Sequence, residues 1–247
     1  MKELTGKNVI RQEAYYNQVY RVKDIIWDFE DNDNDEMNHE FKLYCNVMSA
    51  LKLADYLEYV HSISDLPEDV AVAFRKLYLT QLVSIMETLI ERSVERLRKG
   101  RCNGCIEKEE SSSSNKCRCY FPTVIYEDKG GVRVKHRAGL TDFIDVMERT
   151  DMLRFKSLYL NGSGMLYYEY MRTFYKLRNQ IHLSNTSKGL EKGYILNDAK
   201  NFSETRIQDL RTFLPILAER LLKYVIPGGK KCLKTMNGVD RVKNSEV

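Results

Sequence analysis

The 247-residue chain has only 4 prolines and 13 glycines, so it holds few of the residues that interrupt helices. It has no stretch approaching the roughly 18 uncharged apolar residues that a membrane-crossing helix needs. No apolar run follows the charges of Met1, Lys2 and Glu3, which predicts that there is no secretory signal. The expected compartment is therefore cytoplasmic and reducing, where cysteines serve as thiols or metal ligands more often than in disulfides. A marked excess of one charge sign is also missing. With 39 Lys+Arg against 35 Asp+Glu the net charge is +4, which permits a nucleic-acid partner but does not argue for one. No Gly-rich phosphate loop, GxSxG elbow or HExxH pair is present, so those nucleotide, hydrolase and metalloprotease chemistries have no signature here. What the chain does contain, 43% hydrophobic and 30% charged residues, excludes a disordered polypeptide and suffices for a buried core.

Periodicity divides the chain into helices. Residues 8–27 carry Tyr15, Tyr16, Val19, Tyr20, Val22, Ile25 and Ile26 at spacings near three and four, which predicts one amphipathic helix. An acidic run from Asp28 to Glu36 follows and reads as a solvated linker. Its alternating Asp31, Asp33 and Asp35 resemble the start of a calcium loop. However, Glu36 and Lys42 stand where that loop needs glycine and a bidentate glutamate. Residues 38–60 form a second helical pattern. Ser64-Asp65-Leu66-Pro67-Glu68-Asp69 then gives a stop and a new start. The most regular stripe is Leu82, Ile85, Met86, Leu89, Ile90, Val94 and Leu97, which predicts a helix over 68–98. Glu87 lies at the edge of that stripe, as a glutamate reaching solvent or a polar group facing a cleft.

Residues 99–122 break the pattern with four consecutive serines and four cysteines. Thr123–Tyr126 and Val132–Val134 around Gly130-Gly131 predict a small hairpin. Helical pattern returns over 141–153, from Asn161-Gly162-Ser163-Gly164 to about 182, and from Ser203 to Val225, where Pro227-Gly228-Gly229 stops it. The expected fold is an all-α bundle with a cysteine-rich insertion and a small β-hairpin. Its expected organisation is 1–37 as N-terminal helix and acidic linker, 38–226 as the helical domain with 99–137 as insertion, and 227–247 as a basic tail.

Arg178 and His182 are four apart, which on a continuous helix places them on one face below Met171, Phe174 and Tyr175. An isolated buried ion costs several kcal/mol, so charge continuing an apolar stripe must be paired or must face a cleft. The pair suits metal-independent RNA cleavage. Histidine can move protons near neutral pH, arginine can hold phosphate oxygens, and Asn179 can orient either group. The alternative is a histidine on the helix-end carbonyls and an arginine paired to a glutamate. The tyrosines of this helix could stack bases or simply fill the core.

The run Leu177-Arg178-Asn179-Gln180-Ile181-His182-Leu183 resembles the signature of HEPN domains (higher eukaryotes and prokaryotes nucleotide-binding). The long earlier helix with Ser84–Glu91 and the final amphipathic helix fit the same pattern. The resemblance implies a HEPN-like helical bundle acting as a metal-independent endoribonuclease. Two motifs would face each other across a homodimer cleft, with Arg178, Asn179 and His182 as catalytic residues. Family members of this kind serve in toxin–antitoxin, phage-defence and RNA-processing systems, so an antitoxin or regulatory protein is an implied partner. Only Asn179, Gln180 and Ile181 separate the arginine and histidine, a shorter spacing than the family's usual one. A non-catalytic nucleotide- or RNA-binding module on the same fold is therefore the alternative. A third reading is a structural adaptor that dimerises through this helix.

Cys102-Asn103-Gly104-Cys105 and Cys117-Arg118-Cys119 supply four thiols flanked by Arg101, Lys108, Lys116 and Arg118. Cys102, Cys105, Cys117 and Cys119 could close a tetrahedral structural zinc site. Surface thiols and disulfides are the alternatives. Cys45 sits in a core pattern. From residue 200 onward, 10 Lys/Arg stand against 5 Asp/Glu, a modest excess toward phosphate.

Overall fold

The computed structural model describes residues 10–27, 34–99, 121, 124–156, 158–159, 165–181 and 201–226. The described part is all-α apart from one β-hairpin. Its elements are α1 (Glu13–Val19), α2 (Val22–Ile26), α3 (Asn34–Ile63), α4 (Glu68–Lys99), β1 (Val124–Lys129), β2 (Val132–Arg137), α5 (Leu140–Thr150), α6 (Tyr167–Gln180) and α7 (Glu204–Arg220). A π-helical turn over Leu221–Val225 prolongs α7.

α4 is the hub and packs against α2, α3, α5, α6 and α7. Its sequence explains this position. Leu82, Ile85, Met86, Leu89, Ile90, Val94 and Leu97 are all buried, as their spacing predicts. α3 runs back along α4 through Tyr44, Val47, Met48, Leu51, Ala54 and Leu57. The α6 tyrosines resolve as core. Tyr167, Tyr168 and Tyr170 are buried, and the Tyr168 hydroxyl accepts the Leu153 N–H and donates to the Met147 carbonyl, both at 3.1 Å.

Two boundaries differ from the sequence reading. The predicted single helix over 8–27 is broken, because Arg21 adopts a left-handed conformation (φ 50°) between α1 and α2. α3 begins at Asn34, inside the acidic run assigned to a linker. Acidic residues in a first turn interact favourably with the helix dipole, so charge density there does not oppose helix formation.

The N-terminal segment shares the common core. Tyr16, Val22, Ile25 and Ile26 are 0% exposed, and Arg92 and Arg96 of α4 donate to the carbonyls of Ile26, Asp24 and Ile25. The hairpin forms as expected. Lys129 pairs with Val132, and Gly130 (φ 63°) and Gly131 (φ 85°) make a two-residue turn that needs positive φ at both positions. Ser203 caps α7, its Oγ accepting the Arg206 N–H at 3.4 Å. Among the described residues no helix is long and apolar enough to cross a membrane.

Candidate functional site

Arg178 lies in the last turn of α6, directly below Met171 and Phe174, which are 0% and 1% exposed. The helix thus carries its apolar stripe into α4 and delivers the guanidinium at the stripe's end. There Nη2 of Arg178 stands 3.5 Å from Oε2 of Glu87 on α4. Nη1 donates to Oδ1 of Asn179 at 3.1 Å. Nε is buried and has no hydrogen-bond acceptor among the described residues. The side chains of Arg178 and Glu87 are 26% and 21% exposed, so the pair sits at the mouth of the packed region rather than inside it. Glu87 is therefore a partly exposed carboxylate paired with a cation.

One turn along α4 is Glu91, an exposed carboxylate. Its pKa is raised, first by desolvation and then by the repulsion of Glu87 and Glu95, against the opposing pull of Arg137 and Arg178. The end of α6 and the middle of α4 thus meet in a cluster of alternating charge, on which Arg137 at the end of β2 also acts through its field. An arginine held by a glutamate and an asparagine, and one quarter exposed, can take an anion such as a phosphate at its exposed end.

Of the residues singled out from sequence, Arg178 and Asn179 are thus brought together. His182 lies outside the described residues; α6 ends at Gln180 and Ile181 is its cap. Cys102, Cys105, Cys117 and Cys119 also lie outside them. Among the described residues, no group of three or more His, Cys, Asp or Glu is arranged to hold a metal. Cys45 is a free, half-buried thiol packed against the core.

The structure also has a cleft of about 770 Å³ that sequence reasoning missed, where the end of α3 and the starts of α4 and α7 converge. Leu57, Phe74 and Ile207 give it apolar walls, and the nearly buried Tyr78 lines it as well. Its charged groups are already matched. Arg211 bonds Glu58, Arg75 donates to the Phe202 carbonyl at 2.7 Å and to Glu68 at 2.6 Å, and the Tyr170 hydroxyl donates to Asp209. His61 stands 3.9 Å from Glu204. Burial pushes the Tyr78 phenol well above its usual range, so it is a neutral wall rather than a proton carrier. These pairs join residues far apart in the chain, Glu58 and Arg211 being 153 positions apart, so no local spacing announces them. Among the described residues the cleft's arginines are held by paired carboxylates or a carbonyl, whereas the Arg178 guanidinium stands 3.5 Å from its one carboxylate and is one quarter exposed. The Arg178 cluster is for that reason the stronger candidate. Comparison with family models, curated protein sequences and solved structures returns no match for this chain, and the site is read from its own residues.

Proposed function

We propose that the chain is a HEPN-like, metal-independent endoribonuclease that works as a homodimer. The observation that carries this reading is the Arg178 guanidinium, delivered by the core-packed α6, braced by Glu87 and Asn179, and one quarter exposed. In the proposed reaction a base, His182 of one motif, removes the proton of an RNA 2′-hydroxyl. The 2′-oxygen attacks the adjacent phosphorus. Arg178 holds the charge that builds on the phosphorane oxygens, and the bond to the 5′-oxygen breaks as an acid protonates the leaving group. The products are a 2′,3′-cyclic phosphate and a free 5′-hydroxyl. A facing second motif supplies the second proton-transfer group, which is why the reading requires a dimer. An antitoxin or other regulatory protein, in a defence or toxin–antitoxin setting, belongs to the same proposal. So does a structural zinc ion on Cys102, Cys105, Cys117 and Cys119, testable by metal analysis of the purified protein.

The test is incubation of purified protein with mixed RNAs in EDTA, scored for 2′,3′-cyclic phosphate ends. Cleavage is expected with wild type. It should be lost in Arg178→Ala and His182→Ala while both keep the wild-type far-UV spectrum and melting transition. Equal cleavage by wild type and either variant would sink the assignment.

A second reading, a non-catalytic RNA- or nucleotide-binding module on the same bundle, draws support from the ion pair itself. Glu87 partly neutralises Arg178, and Glu91 adds negative potential beside it. That reading expects RNA binding without cleavage in the same assay.

A further inference from the structure

Away from the Arg178 cluster, three cations converge on one aromatic ring. The guanidinium carbon of Arg154 stands 4.9 Å from the ring centre of Tyr224, that of Arg220 stands 5.6 Å from it, and Nζ of Lys223 stands 5.4 Å from it. Arg220 also reaches the buried Phe155 ring at 5.7 Å, which ties the cluster to the core. Among the described residues none of these three cations has a carboxylate partner. Arg154 and Lys223 are exposed. On the Arg154 loop, Lys156 is exposed and Tyr159 is 59% exposed.

Two of the cations have a simple explanation. Arg220 and Lys223 sit at the C-terminal end of the α7 helical run, where the helix dipole favours positive charge. Arg154 does not. It comes from the loop after α5 and holds its backbone in the left-handed region (φ 54°), a conformation that L-residues resist. The strain brings a third positive charge to a ring that already carries two. Like charges gathered with no ion-paired carboxylate among the described residues favour an anionic ligand.

We propose that Arg154, Lys156, Arg220 and Lys223, with the rings of Tyr224 and Tyr159, form a binding track for the backbone of single-stranded RNA. The Tyr224 ring gathers the cations, which neutralise successive phosphates, and the exposed Tyr159 ring offers a face on which a base stacks without sequence preference. Cation–π contact orients the guanidinium groups and leaves their outward N–H groups for phosphate oxygens. An anionic membrane would use the same charge, but it also needs an apolar face to insert. Leu158, 37% exposed, is the one exposed large aliphatic side chain on this loop among the described residues. The proposal deepens the RNA reading above. It gives that reading a substrate-holding surface which does not depend on the Arg178 cluster.

The test measures binding of a fluorescein-labelled 2′-O-methyl oligonucleotide by anisotropy across a salt series. This probe has no free 2′-hydroxyl, so binding is read apart from cleavage. The double variant Arg154→Ala/Lys223→Ala changes two exposed side chains, and a circular-dichroism melt checks its fold. It is expected to bind roughly tenfold more weakly at moderate salt, with a salt-dependence slope smaller by about 1.4, the value for two fewer phosphate contacts on a single strand. The track is overturned if the folded double variant binds within twofold of wild type with an unchanged slope. It is equally overturned if wild type binds phosphatidylserine vesicles but not the oligonucleotide, or binds neither. Intact, track-dependent binding with no cleavage of unmodified RNA would leave the track standing and remove only the ribonuclease reading.

Discussion

Arg92 and Glu40 form an ion pair between α4 and α3 in which the residues are 5% and 3% exposed. Arg92 Nε also donates to the Ile26 carbonyl at 3.0 Å, and Nη1 to the more exposed Glu95 at 3.3 Å. Desolvating two ions offsets most of their mutual attraction, so the pair adds little net stability, yet either partner left alone is a buried charge. Glu40→Ala should therefore lower unfolding free energy by about 3–5 kcal/mol, whereas Glu40→Met/Arg92→Met should cost less than Glu40→Ala alone. Urea denaturation of the single and double variants reads this directly. Glu91 presents the opposite case. Its pKa is raised by desolvation and by Glu87 and Glu95, so the folded protein binds its proton more tightly than the unfolded chain does. Ionised Glu91 thus works against folding above its folded-state pKa, and that cost disappears as pH falls below the unfolded value. Glu91→Gln should melt higher than wild type at pH 7, with the difference shrinking toward pH 4. A lower melting temperature at pH 7 would mean that the attraction of Arg137 and Arg178 outweighs the repulsion.

Among the elements, α7 carries a contradiction. Pro215 stands inside the helix and has no N–H for the carbonyl of Arg211. Phe213, Leu214, Leu217 and Ala218 around it are buried, so tertiary packing holds a helix whose local sequence would interrupt it. An interior proline costs about 3 kcal/mol, while its stiffening of the unfolded chain returns about 0.4–1 kcal/mol. Pro215→Ala should thus raise stability by about 2–2.6 kcal/mol, measured as the free energy of urea unfolding. The same helix shows what a sequence reveals. Ser203 and its cap could be read locally, as could the α4 stripe and the Gly130-Gly131 turn, because each depends on residues adjacent in the chain or one turn apart. The break between α1 and α2 could not, since arginine carries no signature for a left-handed backbone. The candidate site divides the same way. Arg178 and Asn179 were visible from spacing, and Glu87 was visible only as an anomaly at the edge of a stripe. The pairing of Glu87 with Arg178, like that of Glu58 with Arg211, exists only once distant helices pack.

At the scale of the whole molecule, one hydrophobic core runs from Tyr16 to Val225. The N-terminal helices are a structural wedge in that core. Tyr16, Val22, Ile25 and Ile26 are 0% exposed, and full burial of side chains of this kind is worth about 1.5–3 kcal/mol each. The sum, on the order of 6–12 kcal/mol, is comparable to the entire stability of a typical domain, about 5–15 kcal/mol. Polar contacts reinforce the wedge. Arg11 and the Tyr16 hydroxyl both bond the Asp55 carboxylate, at 2.7 and 2.6 Å, and Arg92 and Arg96 cover the carbonyls at the end of α2. A chain beginning at Asn34 would open an apolar trough along α3 and α4 and remove the carbonyls of Asp24, Ile25 and Ile26, to which both arginines donate. Such a truncation should lose its cooperative thermal transition and bind a hydrophobic dye, even though the Arg178 cluster and the cation–aromatic track lie wholly within what remains. Adding back a peptide spanning residues 10–27 should restore the transition in proportion to peptide concentration. If the truncated chain melted cooperatively near the wild-type temperature without the peptide, the segment would be an appendage and the core would close without it.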